Sequence, residues 1–545
     1  MKQHQRHSPL GWWQGRSLPC AGSGTALQTA IYALKQPVYL LEQEGQFALG
    51  IEGCAVLGNR SPAPDALPLI GYTPPCDLKN LGDPAFCADY GLEYPYMAGA
   101  MANGCTSAEI VAAMGQNGML GDFGAAGLSL TAIAAAIDRI SRNLQTLPYC
   151  FNLIHSPNEP NREAAVVELY LRRGVRLVSA SAYLGLTLPV VRYRVQGIQR
   201  NAAGQIITPN RLIAKVSRVE VAAQFFAPPP ERFLRELAGH GEITPEQAQL
   251  ATQIPMAQDV IAEADSGGHT DNRPALTLFP TMLALRDRLQ AHYRYVQKLR
   301  VGAGGGIATP ASAAAAFAMG AAFLVTGSVN QACIESGTSD LVRHMLSEAG
   351  QSDVMMAPAA DMFEMGVKVQ VLKRGTMFPM RAGKLYDLYR NYDSLAAIPA
   401  AERELVETKF FQCSFDVVWE QTQRYFQERD PAQIERARRE PKYRMALVFR
   451  WYLGQSSRWP MAGDPARKMD YQIWCGPAIG AFNEWVKGSF LEPPQQRQVV
   501  TVALNLLYGA GIISRVNALR AHGIRLPPEF ANPAPLTLAA LRERL

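Results

Sequence analysis

The chain has 545 residues, 48% hydrophobic and 18% charged, with a formal net charge of +6. That is more chain than one core organises, too apolar for disorder, and free of the lysine–arginine blocks that mark a nucleic-acid arm. Nine scattered cysteines with no CxxC or Cys/His spacing indicate neither a zinc site nor a disulfide framework, and fit reduced thiols in a cytoplasm.

The N-terminus is polar and histidine-rich and lacks the apolar core of a signal peptide. Residues 1–90 are rich in proline and glycine, with short strand-like pieces at Val38–Leu41 and Phe47–Ile51, which predicts a small β-rich extension. From 91 the pattern turns to strand–helix alternation. Strand-like runs fall at Tyr96–Met101, Met119–Phe123, Tyr149–Ile154, Arg176–Ala180, Leu212–Ser217, Val260–Ala264, Arg300–Ala303 and Phe323–Val325. Between them, Ser129 precedes Leu130, Ile133, Ile137, Ile140 and Leu144, an N-cap followed by a helical stripe. Leu285, Leu289, Tyr293 and Val296 repeat that spacing. The alanine-rich window 311–325 belongs to this alternation and not to a membrane span.

Eight strands alternating with helices predict an α/β fold, a (β/α)8 barrel over 91–390. The stretch 219–258 exceeds a simple crossover, so inserted helices are expected there. From 391 to 545 charged helical patterns take over, as at Ala401–Phe411 and Pro431–Arg439. Trp419, Trp451, Trp459, Trp474 and Trp485 lie here beside Tyr452, Tyr471 and Phe482. They either fill a helical core or line an apolar tunnel facing the barrel mouth.

The chemistry gathers at the predicted ends of the last three strands. Barrel active sites occupy the C-terminal strand ends, with a phosphate commonly at the loops after strands seven and eight. Gly304–Gly306 follow strand seven and open a helix over Pro310–Met319, whose start attracts an anion. Gly327 and Ser328 follow strand eight and add donors. After strand six, Ser266–Gly267–Gly268 turn into His269, which can relay protons or hold a carbonyl. Glu263 and Asp265 share one strand face; they serve either cofactor hydroxyls or ordinary buried pairs. Asn152 offers donor and acceptor groups to a heterocycle edge. Lys215 sits among apolar residues and needs a partner, for which a cofactor's electron-rich edge is one candidate. The basic residues Lys368, Lys373, Arg374, Arg381 and Lys384 meet an acidic partner or a phosphate, or form a solvated or internally paired face.

Several of these strings resemble a known family. Pro95–Met101, Glu263–His269, Ala303–Ile307 and Gly327–Ser328 are similar to the nitronate monooxygenase and flavin-dependent enoyl reductase superfamily. Glu263–Pro274, Asp361–Thr376 and Asp470–Pro477 resemble the PfaD-type enoyl reductases of polyketide and polyunsaturated fatty acid synthases. The resemblance runs from about residue 30 to about 520. It implies FMN in the barrel, NADPH as reductant, and action in trans on enoyl thioesters held by acyl carrier protein domains. It places Met97, Ala98 and Gly99 along the flavin ring, Asn152 and Lys215 on its polar edge, and Gly305, Gly306, Gly327 and Ser328 around the phosphate. Glu263 and Gly268 complete the expected cofactor set. His269 is implied near the substrate carbonyl or as proton donor to the α-carbon. The helical region would cover a long acyl chain. No metal, membrane or nucleic acid is implied, and a homodimer is left open. Three other readings stand beside this one: a nitronate oxidase of the same fold, a flavin-free barrel lyase or isomerase acting on a phosphorylated metabolite, and a structural subunit without turnover.

Overall fold

The computed structural model describes residues 9–15, 24–43, 46–59, 61, 63–157 and 159–545. The histidine-rich first eight residues, part of the segment read as lacking a signal peptide, lie outside the described residues.

Eight parallel strands close into a barrel. They are β1 (Tyr96–Ala98), β2 (Leu120–Phe123), β3 (Cys150–Ile154), β4 (Leu177–Ser181), β5 (Arg211–Val216), β6 (Asp259–Glu263), β7 (Arg300–Gly304) and β8 (Leu324–Thr326). The order around the barrel is β5-β6-β7-β8-β1-β2-β3-β4, so each strand lies beside its neighbours in sequence and β8 closes on β1. Alternation along each strand sends one residue inward and the next toward the helices. Met97, Leu120, Cys150, Leu177, Ile213, Ile261 and Val325 form one interior cluster, sealed from below by Phe86 and Phe323, whose rings stack 4.0 Å apart. This is a packed floor rather than a pore, as barrels of this size require.

The crossover helices follow the sequence pattern closely. Helix α1 (Leu130–Leu144) starts at Ser129, whose side chain accepts from the Ala132 N–H at 3.1 Å. Its stripe Ile133, Ile137, Ile140 and Leu144 is buried; each such side chain adds roughly 1.5–3 kcal/mol on burial. Helix α2 (Pro160–Arg172) follows β3. The long crossover after β5 holds three helices, Val219–Phe226, Glu231–Gly239 and Pro245–Ala251. Helix α3 (Ala275–Tyr293) differs from the predicted stripe at its end. Arg294 adopts a left-handed φ of 53° and stops the helix, so Val296 falls in a loop and is exposed.

A second core lies over the barrel mouth. It runs from Ala357 to Leu453 and contains α4 (Phe415–Arg429) and α5 (Pro441–Ala462). At its base a three-stranded antiparallel sheet joins Gly268–His269 to a hairpin of Lys368–Leu372 and Val354–Pro358. Val369, Val371 and Leu372 are buried, yet sequence patterning gives no sign of the hairpin.

The last long helix, α6 (Val499–Ala521), lies inside the stretch read as a substrate-covering domain but packs elsewhere. It lies against the barrel helix Pro310–Ala318 and shares one core with Ile31, Leu34 and Leu40 of the N-terminal region. It is the one described helix long and apolar enough to cross a membrane, and 94% of its apolar window is buried inside the protein. Arg515 on this helix donates to the carbonyls of Ile31, Ala33, Leu34, Gln36 and Pro74 at 2.8–3.2 Å. The N-terminal region itself is a five-stranded antiparallel sheet of Gly11–Gly15, Val38–Gln43, Gln46–Gly50, Gly53–Leu57 and Leu67–Thr73.

Candidate active site

A cavity of about 650 Å³ lies between the C-terminal strand ends and helices α4 and α5. Gly99, Asn152, Lys215, Glu263, Gly268, His269, Gly305, Gly306, Gly327 and Ser328 all line it. Met97 and Ala98 do not. Alternation turns the Met97 side chain down into the barrel floor and Ala98 out against the helix layer. Of the three residues expected along a flavin ring, Met97, Ala98 and Gly99, only Gly99, past the strand end, lines the cavity.

The loops after β7 and β8 carry the most telling feature. Among the described residues, the main-chain N–H groups of Gly305, Gly306, Ile307, Gly327 and Ser328 donate to no protein acceptor. Unpaired main-chain donors are rare in folded proteins, and successive N–H groups in left-handed turns form an anion-binding concavity. Gly305 and Gly306 have φ of 81° and 76°, which only glycine adopts without strain. A Cβ on Gly305 would sit 2.7 Å from the Ala264 carbonyl carbon, whereas one on Gly306 or Gly327 would meet no protein atom within 4 Å. The anion cradle is therefore the glycine loop and not the helix start read from sequence. At Pro310–Ala318 that start is closed by its own capping box, Thr309 with Ser312. The Ser328 hydroxyl accepts from Gly476 N–H at 3.0 Å, which ties this loop to the cap.

On the opposite wall, Asn152 donates to Ser179 and Ser181 at 2.9–3.2 Å, and its amide oxygen has no partner among the described residues. Lys215 on β5 meets Glu263 on β6 at 3.2 Å, and Ser266 also donates to Glu263 at 3.0 Å. The lysine's partner is thus a carboxylate, while both side chains still line the cavity. Asp265 also lines the cavity; it accepts from Gln370 at 2.7 Å and Asn272 at 2.9 Å and so braces the turn.

That turn delivers His269. Gly268 takes a φ of 77°, and a Cβ on Gly267 would lie 2.6 Å from the Cys475 backbone. Both glycines are needed to pass the chain between the barrel and the cap. The His269 ring bonds Asp361 through Nε2 at 3.1 Å, leaving Nδ1 without a partner among the described residues. A third of the side chain is exposed, and that exposure is to the cavity. Burial presses the imidazole pKa down, but the Asp361 charge and hydrogen bond outweigh it and the net shift is upward. Asp361 feels burial in the other direction, and His269 overrides it, so its pKa falls. The pair favours an imidazolium facing the cavity. Below, buried Asp122 is pushed up to about 6 by desolvation, with Oδ2 accepting from Ala100 N–H at 3.2 Å.

The cap supplies what patterning missed: Asp361, Gln370 and the lining residues Leu447 and Arg450. The aromatics divide between the two readings. Trp451 and Trp474 face the cavity, whereas Tyr452 and Tyr471 are buried. Much of the basic cluster is internally paired: Arg381 to buried Asp470, Lys384 to Glu402 at 2.6 Å, and Arg374 to Asp353 at 3.7 Å.

Comparison with known proteins agrees with this architecture. Residues 86–385 match the nitronate monooxygenase family, and residues 392–471 match the inserted helical domain of acyl-carrier-protein S-malonyltransferase. A polyunsaturated fatty acid synthase subunit of Thraustochytrium sp. is 52% identical over 453 residues, covering 82% of this chain and 30% of that protein. Polyketide biosynthesis protein PksE of Bacillus subtilis is 45% identical, covering 80% of this chain and 56% of that protein. The chain thus spans less than two-thirds of the curated relatives it matches. The crystal structure of the enoyl reductase domain of MlnA, from the macrolactin cluster of Bacillus amyloliquefaciens, superposes with a TM-score of 0.76 at 40% identity. It covers 82% of this chain and 99% of that one. A closed parallel barrel under a helical cap, with this site at its mouth, defines a (β/α)8 barrel protein with a capped cavity. The chain belongs to the nitronate monooxygenase family, in its PfaD-type enoyl reductase branch.

Proposed function

We propose that this chain is an FMN-dependent enoyl reductase that uses NADPH to saturate the 2,3 double bond of enoyl thioesters on acyl carrier protein domains, acting in trans within polyketide or polyunsaturated fatty acid synthesis. The observation that carries it is the set of five unpartnered N–H groups on Gly305, Gly306, Ile307, Gly327 and Ser328. They fit a phosphomonoester, and Asn152 and Lys215 face the polar edge of a ring system extended from it. When bound, the flavin supplies hydride transfer, from NADPH to the β-carbon of the enoyl chain.

The chain's own residues do the rest. The glycine loops hold the phosphate without any side-chain rearrangement. Glu263 fixes Lys215 so that its charge is positioned before ligand arrives. Asp361 holds a proton on His269, and the free Nδ1 donates toward the thioester carbonyl or gives the proton that the α-carbon must acquire. Leu447, Trp451 and Trp474 keep water from the reacting centre and pack along the acyl chain.

The test is a spectrum and an assay. Purified protein should carry flavin absorbance that bleaches with NADPH under anaerobic conditions, and NADPH oxidation should require a 2-enoyl thioester. Colourless protein that FMN does not reconstitute would overturn the cofactor reading. Rapid oxygen uptake with alkyl nitronates, without enoyl reduction, would assign the oxidase activity instead.

A further inference from the structure

A second group of donors sits on the far side of the cavity. Arg162 lies in the first turn of α2, Arg429 at the end of α4, and Arg458 in α5; all three line the cavity. Helix α2 has Glu159 as its N-cap, with no side-chain capping bond, and Glu163 in its first turn. Arg162 donates to the Leu128 carbonyl. Arg429 bonds and overlies the Tyr425 ring, with its guanidinium carbon 4.3 Å from the centroid. Neither is paired with a carboxylate among the described residues, and Arg458 makes no hydrogen bond or ion pair there. The charges of all three act on the Tyr425 hydroxyl, as does that of Glu159, and Tyr425 and Glu159 line the same cavity. Burial lowers the Arg162 pKa, and the charge of Arg429 lowers it further. Most other arginines of the cap have been given acidic partners, including Arg381, Arg403, Arg436, Arg438 and Arg450.

We infer that Arg162, Arg429 and Arg458 form a second anion site at the cavity rim, which takes a phosphate carried by an incoming co-substrate. It is separate from the glycine cradle. Helix α2 follows β3, and in the closed order β3 stands four strands from β7, across the mouth of an eight-stranded barrel. One phosphate cannot occupy both. Guanidinium groups suit phosphate oxygens, to which they donate in pairs. The inference rests on the proposed function, which brings two phosphate-bearing molecules to this cavity: a pantetheine thioester, through its arm's phosphate, and NADPH, through its 2′-phosphate. The chemistry recognised is the same for either.

Equilibrium titration of the flavin-loaded protein distinguishes the sources and does not depend on turnover. Two ligand pairs are compared, 4′-phosphopantetheine with pantetheine, and 2′,5′-ADP with 5′-AMP. In one pair the member with the additional phosphate should bind about tenfold tighter, and R429Q/R458Q should remove that advantage. The pair that responds names the source. R429K/R458K, which keeps the charge, should restore part of the difference. If neither pair shows a phosphate advantage, or if R429Q/R458Q keeps it, the site is not there. Failure of enoyl reduction in the separate activity assay would instead strike the proposed function. Both substituted arginines are exposed, so the variants should fold.

Discussion

The two ends of the barrel are built to opposite rules. At the bottom, Asp259 accepts from Arg300 at 2.6 and 3.0 Å and from Tyr90 at 2.7 Å, and Arg300 also meets Asp89 at 2.7 Å. Arg300 and Asp259 are 2% and 0% exposed. Charge there is matched by charge inside the protein. At the top, five main-chain donors have no acceptor among the described residues, and His269 leaves one ring nitrogen open to the cavity. The lesson is that polar groups satisfied internally hold the fold, whereas groups left unsatisfied in a cavity mark what the fold is for.

That contrast can be broken from either end. The largest effect is expected from Gly305→Val at the top. A β-branched residue is strained at a φ of 81° and would collide with the Ala264 backbone. The protein should purify without flavin, as absorbance will show; retained flavin would mean the phosphate sits elsewhere. Next, His269→Ala should lower kcat by about 10²–10⁴-fold while the protein stays yellow. A smaller loss would leave the imidazole only a structural part. At the bottom, Arg300→Leu leaves Asp259 buried without its cation, and should cost about 3–5 kcal/mol of barrel stability in a denaturant titration, with turnover of the folded fraction unaltered. A loss of turnover instead would erase the distinction between the ends. The smallest effect is a displacement in pH. Asp361 raises the His269 pKa, so the imidazolium persists as pH rises and is lost only through that raised value. Asp361→Asn should therefore move the alkaline limb of kcat/KM to lower pH. An unmoved limb would mean that a different group titrates.

Sequence patterning reaches the barrel well because its signals are local. The stripe in α1 depends only on residues three and four apart, and all eight strands are short apolar runs bounded by turns. The glycine loops are equally legible, since glycine reaches a positive φ without the steric strain other residues meet there, and clustered glycines after a strand mark such turns. The cap is less so. Asp361 and His269 are 92 positions apart, and their contact exists only because Lys368–Leu372 pairs with Gly268–His269. No periodicity announces that pairing. Met97 misleads for a related reason: the strand is visible, but which of its residues face the floor depends on where the barrel's interior layer falls. Trp451 and Tyr452 are adjacent in sequence, and one lines the cavity while the other is core, a division fixed by how α5 is rotated against its neighbours.

The five carbonyls gathered by Arg515 carry a practical consequence. They clasp residues 31–74 to a helix more than four hundred positions downstream, so the smallest excisable unit is not the segment 86–385 that resembles other oxidoreductases. Trimming to that segment strips α6 from the outer helices and lays bare a greasy flank, and the shortened polypeptide should precipitate. Anyone moving this barrel into another polypeptide has to carry residues 31–74 and α6 together with it.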